Sequence, residues 1–301
     1  VIALGIVAAI GASLLYNASI ALQALEARDV PREHSLRVSL LGKLVRNRRW
    51  VGATALGLAG WPLEIGALLL APLTVVQPCL ASGLILLLWL GVKRLGERPG
   101  RREFLAVGAI VAGVAGVALA APERTTDHAS AGAIALALLL VAIPIAAPYA
   151  LRARSRHSPP PGVVNVGYGK AIATLAVVSA GCGYAWTAIA SKLLTDELAA
   201  GAVILAIVWL ATAAASEGLA LLSEMSALQQ RPATHVAPTM FAVQVLIPVL
   251  LAPLIFGESW GSTPLGGVVL IASMALAVAG TVLLAGSHAV GAVIAAAHRD
   301  D

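Results

Sequence analysis

Three carboxylic acids stand inside long apolar runs: Glu64 in GWPLEIGALLL, and Glu217 and Glu224 in ATAAASEGLALLSEM. An ionisable group in hydrocarbon is costly, so each is a candidate for handling an ion or a substrate. Asn17, Gln77, Gln244, Tyr184, Thr187 and Ser191 are the polar groups in similar surroundings. A carboxyl withdrawn from water favours its neutral form and can exchange protons near neutrality. Glu64 and Glu217 are therefore expected to face a central cavity, where one binds a proton or cation and is discharged as the cavity changes sides. The plainer alternative is that each acid is satisfied by a neighbouring Ser, Thr or Trp and only fixes helix register; for Glu224, nearer a helix end, headgroup water is a further alternative. Pro78 and Pro238 lie early in apolar runs, where proline removes a backbone hydrogen bond and frees a carbonyl. Each is read as a hinge or carbonyl ligand, with a tolerated kink as the alternative.

Other chemistries find little support. Cys79 and Cys182 lie in apolar runs and offer neither a disulfide framework nor metal-ligand spacing. The six histidines fall away from the middle of any span and none is paired as a metal ligand. There is no Gly-Lys-Ser/Thr phosphate loop and no grouping of Ser, His and Asp, so no enzyme and no cofactor is expected. Glu97 and Glu258 close apolar runs beside Gly96 and Gly257 and read as structural, while Lys192 reads as an anchor whose stem reaches water.

The elements that must hold these groups follow from composition. Of 301 residues, 59% are hydrophobic and 12% charged, about half the charge of a soluble domain. Lipid is the solvent such a chain requires. With about 20 apolar residues per crossing, nine spans fall near 1–22, 50–71, 73–92, 103–121, 131–151, 170–192, 203–228, 234–256 and 264–285. Alternate loops then hold eighteen and two of the twenty Lys and Arg residues, the two being Arg124 and Lys192. This bias puts the N-terminus outside and the C-terminus in the cytoplasm, in a multi-pass protein of the cytoplasmic (inner) membrane. A net charge of +5 distributed in this way speaks for lipid headgroups as partners, and no nucleic acid is expected. The chain begins with Val in an apolar stretch, which reads as a GTG start or a few missing residues, and a cleaved signal peptide is not expected.

The divisions are a first transmembrane half, 1–121, with four helices and a cytoplasmic loop at 23–49; an external linker, 122–130; a second half of five helices, 131–285; and a cytoplasmic tail, 286–301. In the loop, Leu36, Leu40, Leu41, Leu44 and Val45 at helical spacing among basic residues predict a short amphipathic helix on the inner leaflet, with a solvated basic loop as the alternative. The segment 152–169, with three consecutive prolines, is expected to be irregular and exposed. Gly108, Ala112 and Gly116 at four-residue spacing let helices approach closely; they do not show a dimer, and a homodimer remains open.

The halves resemble each other at an offset of 160 residues. PLEIGALLLAPLTVVQPC (62–79) overlies LSEMSALQQRPATHVAPT (222–239), with identities at Glu64/Glu224, Ala67/Ala227, Leu68/Leu228, Pro72/Pro232, Thr74/Thr234, Val76/Val236 and Pro78/Pro238. One inserted residue later, Gly96-Glu97 matches Gly257-Glu258. The second, third and fourth spans thus pair with the seventh, eighth and ninth. Five crossings separate each pair, an odd number, so the halves are expected to run in opposite directions, as in many secondary transporters.

Residues 60–84 (GWPLEIGALLLAPLTVVQPCLASGL) and 95–123 (LGERPGRREFLAVGAIVAGVAGVALAAPE) resemble the first half of drug/metabolite transporter superfamily members. They are closer to the NIPA-like magnesium-transporter branch than to the ten-helix EamA-like exporters. ASKLL (190–194), ALQQRPATHVAP (227–238) and IFGESW (255–260) resemble the corresponding segments of that branch's second half. The resemblance implies an all-α polytopic bundle and transport of magnesium or another small solute. Animal members carry a Gly-Glu pair followed three residues later by Asn in the second helix. This chain has Gly60-Trp61 there, with Glu64 at the Asn position, so ligands for a hard cation would have to come from elsewhere.

The expected function is secondary transport of a small solute or divalent cation by alternating access. The alternatives are an exporter or flippase of metabolites or lipid-linked precursors, and a non-transporting membrane scaffold that docks a partner through the basic loop.

Overall fold

A computed structural model describes residues 2–70, 73–94, 96, 99–120, 130–155, 166–256 and 263–285. Among these the chain is helical, with no strand. A chain this apolar can leave no backbone amide or carbonyl bare in lipid, and the helix satisfies them within one segment. The long helices are α1 (Ile2–Arg28), α3 (Arg48–Leu70), α4 (Leu73–Arg94), α5 (Arg101–Ala120) and α6 (Ala131–Ser155). Then come α7 (Val166–Ala199), α8 (Val203–Leu228), α9 (Ala233–Phe256) and α10 (Val268–Ala285); α2 (Val38–Leu44) is a short helix between α1 and α3. Five of them contain stretches long and apolar enough to cross a membrane: Ala3–Arg28, Gly132–Arg154, Ala171–Ser191, Val203–Leu228 and Leu265–Leu283. The protein is a helical, membrane-like polytope.

Local chemistry sets several helix ends. Ser130 Oγ accepts the Ala133 amide at the start of α6. At the start of α5, the Glu103 carboxylate reaches back to the Gly100 amide, 2.8 Å away, as in a capping box. Gly201, with φ +76°, ends α7, and the Ala202 amide turns back to the Glu197 carbonyl at 2.8 Å. Pro232 opens α9 and accepts the His235 and Val236 amides.

Three segments differ from expectation. α1 continues to Arg28, so the polar connection before α3 is shorter than 23–49. Helix also covers both ends of 152–169, since α6 runs to Ser155 and α7 begins at Val166; residues 156–165 lie outside the described set. Finally, α2 does form, but its apolar face is turned to protein. Leu36, Leu40 and Leu44 are buried in one cluster with Trp50, Leu222, Met225 and Leu228. An apolar stripe is satisfied equally well by lipid or by a neighbouring helix, and here the end of α8 is the nearer surface.

The packing follows two matching patterns. α1 packs on α3 and α4, as α7 packs on α8 and α9, and α5 packs along α10. α4 and α9 begin 160 residues apart and carry Pro78 and Pro238 at the same position. Gly113 allows the α5–α10 approach: a Cβ there would lie 2.6 Å from the Ala277 amide nitrogen and 2.7 Å from the Ser273 carbonyl. Gly116 meets Ser273 on the same face, and Gly280 of α10 lies against Ala106 and Ile110 of α5, whereas Gly108 has nothing within 4 Å, so the close approach does not use the full four-residue stripe.

Candidate functional site

Glu64 lies on α3, half-buried, and accepts a hydrogen bond at 2.6 Å from the phenol of Tyr16 on α1. Glu224 lies on α8, 3% exposed, and accepts one at 2.5 Å from the phenol of Tyr184 on α7. One helical turn beyond each tyrosine the same arrangement recurs. Ser19 Oγ donates to the Ala53 carbonyl at 2.7 Å, and Thr187 Oγ1 to the Ala213 carbonyl at 3.4 Å. Tyr16 and Ser19 stand 168 residues before Tyr184 and Thr187, while Ala53 and Glu64 stand 160 before Ala213 and Glu224. Two helix pairs therefore carry one constellation, a tyrosine, a hydroxyl and a glutamate.

The two copies differ in surroundings. Around Glu224 the helices are close: Ser216 Oγ donates to the Gly183 carbonyl at 2.8 Å, and a Cβ on Gly183 would meet Ala220. Ser223, fully buried, shares hydrogen bonds with Ser179 at 2.9 Å and Tyr149 at 2.8 Å, and so joins α6, α7 and α8. Oε2 of Glu224 holds the tyrosine bond, and Oε1 is buried with no hydrogen-bond partner among the described residues. A buried, unpartnered carboxyl oxygen is costly as an anion, and a proton or a small cation beside Oε1 would relieve that cost.

The remaining candidates are dispersed. Glu217, expected at a central cavity beside Glu64, lies on an exposed flank of α8, near Thr187 and two turns before Glu224. Glu224 does not reach open water; it is the most enclosed of the three acids. Asn17 is buried, donates to the Ser13 carbonyl at 2.9 Å, and leaves its Oδ1 without a hydrogen-bond partner among the described residues. Ser13 in turn donates to the Leu80 carbonyl of α4. Gln244 is half-buried on α9, and Pro238 is buried on the same helix. The side chains of Gln77, Pro78 and Lys192, and all of Glu97 and Glu258, lie outside the described set. A cavity of about 20 Å³ between α7 and α9, lined by Thr174, Val177, Arg231, His235 and Thr239, has room for one water. Among the described residues no three His, Cys, Asp or Glu side chains converge as a metal site.

Tyr16 and the Tyr149–Ser179–Ser223 chain escaped the reading of the sequence. A signal for Tyr16 was present: Tyr-x-x-Ser at 16–19 matches Tyr-x-x-Thr at 184–187. Comparison with family models, with curated proteins and with solved structures gives no match to the chain.

Proposed function

We propose that the protein is a secondary transporter of the cytoplasmic membrane that moves a small solute or cation by alternating access. The observation that carries this reading is the recurrence of one Tyr–Glu constellation in two helix pairs with unequal exposure, Glu64 half-open and Glu224 enclosed. With nine spans, α1 and α7, like α3 and α8, run in opposite directions. Exchanging the conformations of the two halves then opens one glutamate as it closes the other, on opposite sides of the membrane. The bias of eighteen to two in basic residues supports an external N-terminus and a cytoplasmic tail. The resemblance to the drug/metabolite transporter superfamily and its NIPA-like branch agrees with this mechanism.

The cargo follows from ligand number. A magnesium ion takes six oxygens in near-ideal geometry and gives up water reluctantly. One carboxyl and one phenol per half cannot replace that shell, so magnesium would travel with most of its water. An organic solute coupled to protons requires less of the site and is the reading preferred here.

The test uses purified protein in sealed vesicles holding a pH-sensitive dye. A panel of metals and metabolites is added outside while a pH gradient is imposed. The unaltered protein moves protons with one class of solute, and Glu64→Gln and Glu224→Gln each abolish the pH dependence of that flux. If flux keeps its pH dependence in both variants, the glutamates are structural and the reading fails.

A further inference from the structure

The connection from α1 to α3 passes across the end of α8 that carries Glu224 and is fastened there from below. The Leu36 amide, held at φ +52° in a backbone conformation rare for leucine, donates to Ser226 Oγ at 2.7 Å. Gln229 Nε2 donates to the Val30 carbonyl at 2.9 Å and Gln230 Nε2 to Ser35 Oγ at 3.2 Å. Arg152 of α6 reaches the Ser35 and Glu33 carbonyls. Trp50 Nε1 points at the Met225 sulfur, 3.2 Å away. With Leu36, Leu40 and Leu44 buried beneath it, this strap has no apolar face left to lay on lipid through its leucines.

Its outer surface has a different composition. Arg37, Lys43, Arg46, Arg48 and Arg49 are all exposed, and no hydrogen bond or ion pair among the described residues joins any of these side chains to an acid. Asp29 and Glu33 are the only acids in residues 28–49, against seven Lys and Arg. Among these cations stand two exposed valines, Val38 (78%) and Val45 (60%). A soluble acidic partner would account for the charges but not for the valines. A leaflet accounts for both, with phosphates meeting the cations and the acyl boundary meeting the valines.

We propose that this strap is a binding surface for anionic phospholipid headgroups of the inner leaflet, which hold it down on the end of α8. The proposal rests on the membrane reading of the chain but not on transport. Full-length protein in neutral detergent is titrated with phosphatidylglycerol or phosphatidylcholine, and bound lipid is counted by native mass spectrometry. Phosphatidylglycerol is retained in preference, and in the triple variant Arg46→Gln, Arg48→Gln, Arg49→Gln its affinity falls by about fivefold per charge removed, with phosphatidylcholine binding unchanged. A second variant, Arg37→Gln with Lys43→Gln, loses the same preference in proportion and guards against misfolding of the first. Equal retention by variant and unaltered protein overturns the proposal. So does displacement of the lipid by inorganic phosphate, which would mark a simple anion site. Anionic lipid that binds only after residues 286–301 are removed would make the acidic tail end, Asp300 and Asp301, the occupant, and would overturn the proposal as well. None of these readouts depends on solute flux, so the transport reading stands or falls separately.

Discussion

Among the described residues, Tyr184 is the only donor to a carboxyl whose other oxygen has no hydrogen-bond partner. Tyr184→Phe strips that group of its last hydrogen bond in a packed interior, an effect worth about 1–3 kcal/mol. Tyr16→Phe removes the equivalent bond from a half-exposed acid that has other means of satisfaction, so it costs less. Thermal unfolding of both variants in the same detergent should show the larger fall for Tyr184→Phe; equal shifts would mean that the two sites are equally enclosed. Glu64 and Glu224 were visible from the sequence because a carboxylate is conspicuous in an apolar run. Their tyrosines were not equally visible. The 160-residue register that pairs the glutamates misses the tyrosines by eight positions, because the connection after the first helix is longer than its counterpart after α7.

Gly113 and Gly108 lie five residues apart on α5 and should respond oppositely to alanine. A methyl at 113 meets backbone atoms of α10 that cannot yield, so Gly113→Ala forces the helices apart at a cost of about 1–3 kcal/mol. A methyl at 108 meets nothing within 4 Å, and Gly108→Ala should be neutral or stabilise by about 0.5–1 kcal/mol through helix propensity. Melting temperatures of the two variants check this, and a neutral Gly113→Ala would contradict the α5–α10 packing. The strap makes a similar test possible. Leu40 is fully buried against α8, so Leu40→Ala should destabilise by about 2–5 kcal/mol even in neutral detergent. A helix that merely floated on lipid would lose almost nothing. The periodic leucines gave notice of α2, but a period says only that one face is apolar, not what covers it.

The proposed arrangement of nine spans with opposed halves can be tested by side-specific labelling. With Cys79 and Cys182 replaced by Ala, a cysteine at Thr125 should react with an impermeant thiol reagent added to intact cells. Cysteines at Ser39 and Ser158 should react only after the membrane is opened. Labelling of Ser158→Cys from outside would remove or add a crossing and end the inversion argument, because the count between paired helices would no longer be odd.

Composition was enough to derive a helical, membrane-like protein and the rough positions of its long helices, and the 160-residue register showed an internal likeness at Glu64/Glu224 and Pro78/Pro238. These properties reside in local runs of residues, where lipid imposes one solution on the backbone. Which acid is enclosed, which tyrosine serves it, and where the α2 leucines turn could be decided only by the tertiary structure. Glu217 and Glu224 sit two turns apart on one apolar helix and look alike in one dimension, yet α7 covers Glu224 and leaves Glu217 on an open flank. Burial depends on which neighbours arrive, and in a chain so uniformly apolar the choice of neighbour is made by shape and by a few hydrogen bonds between distant helices.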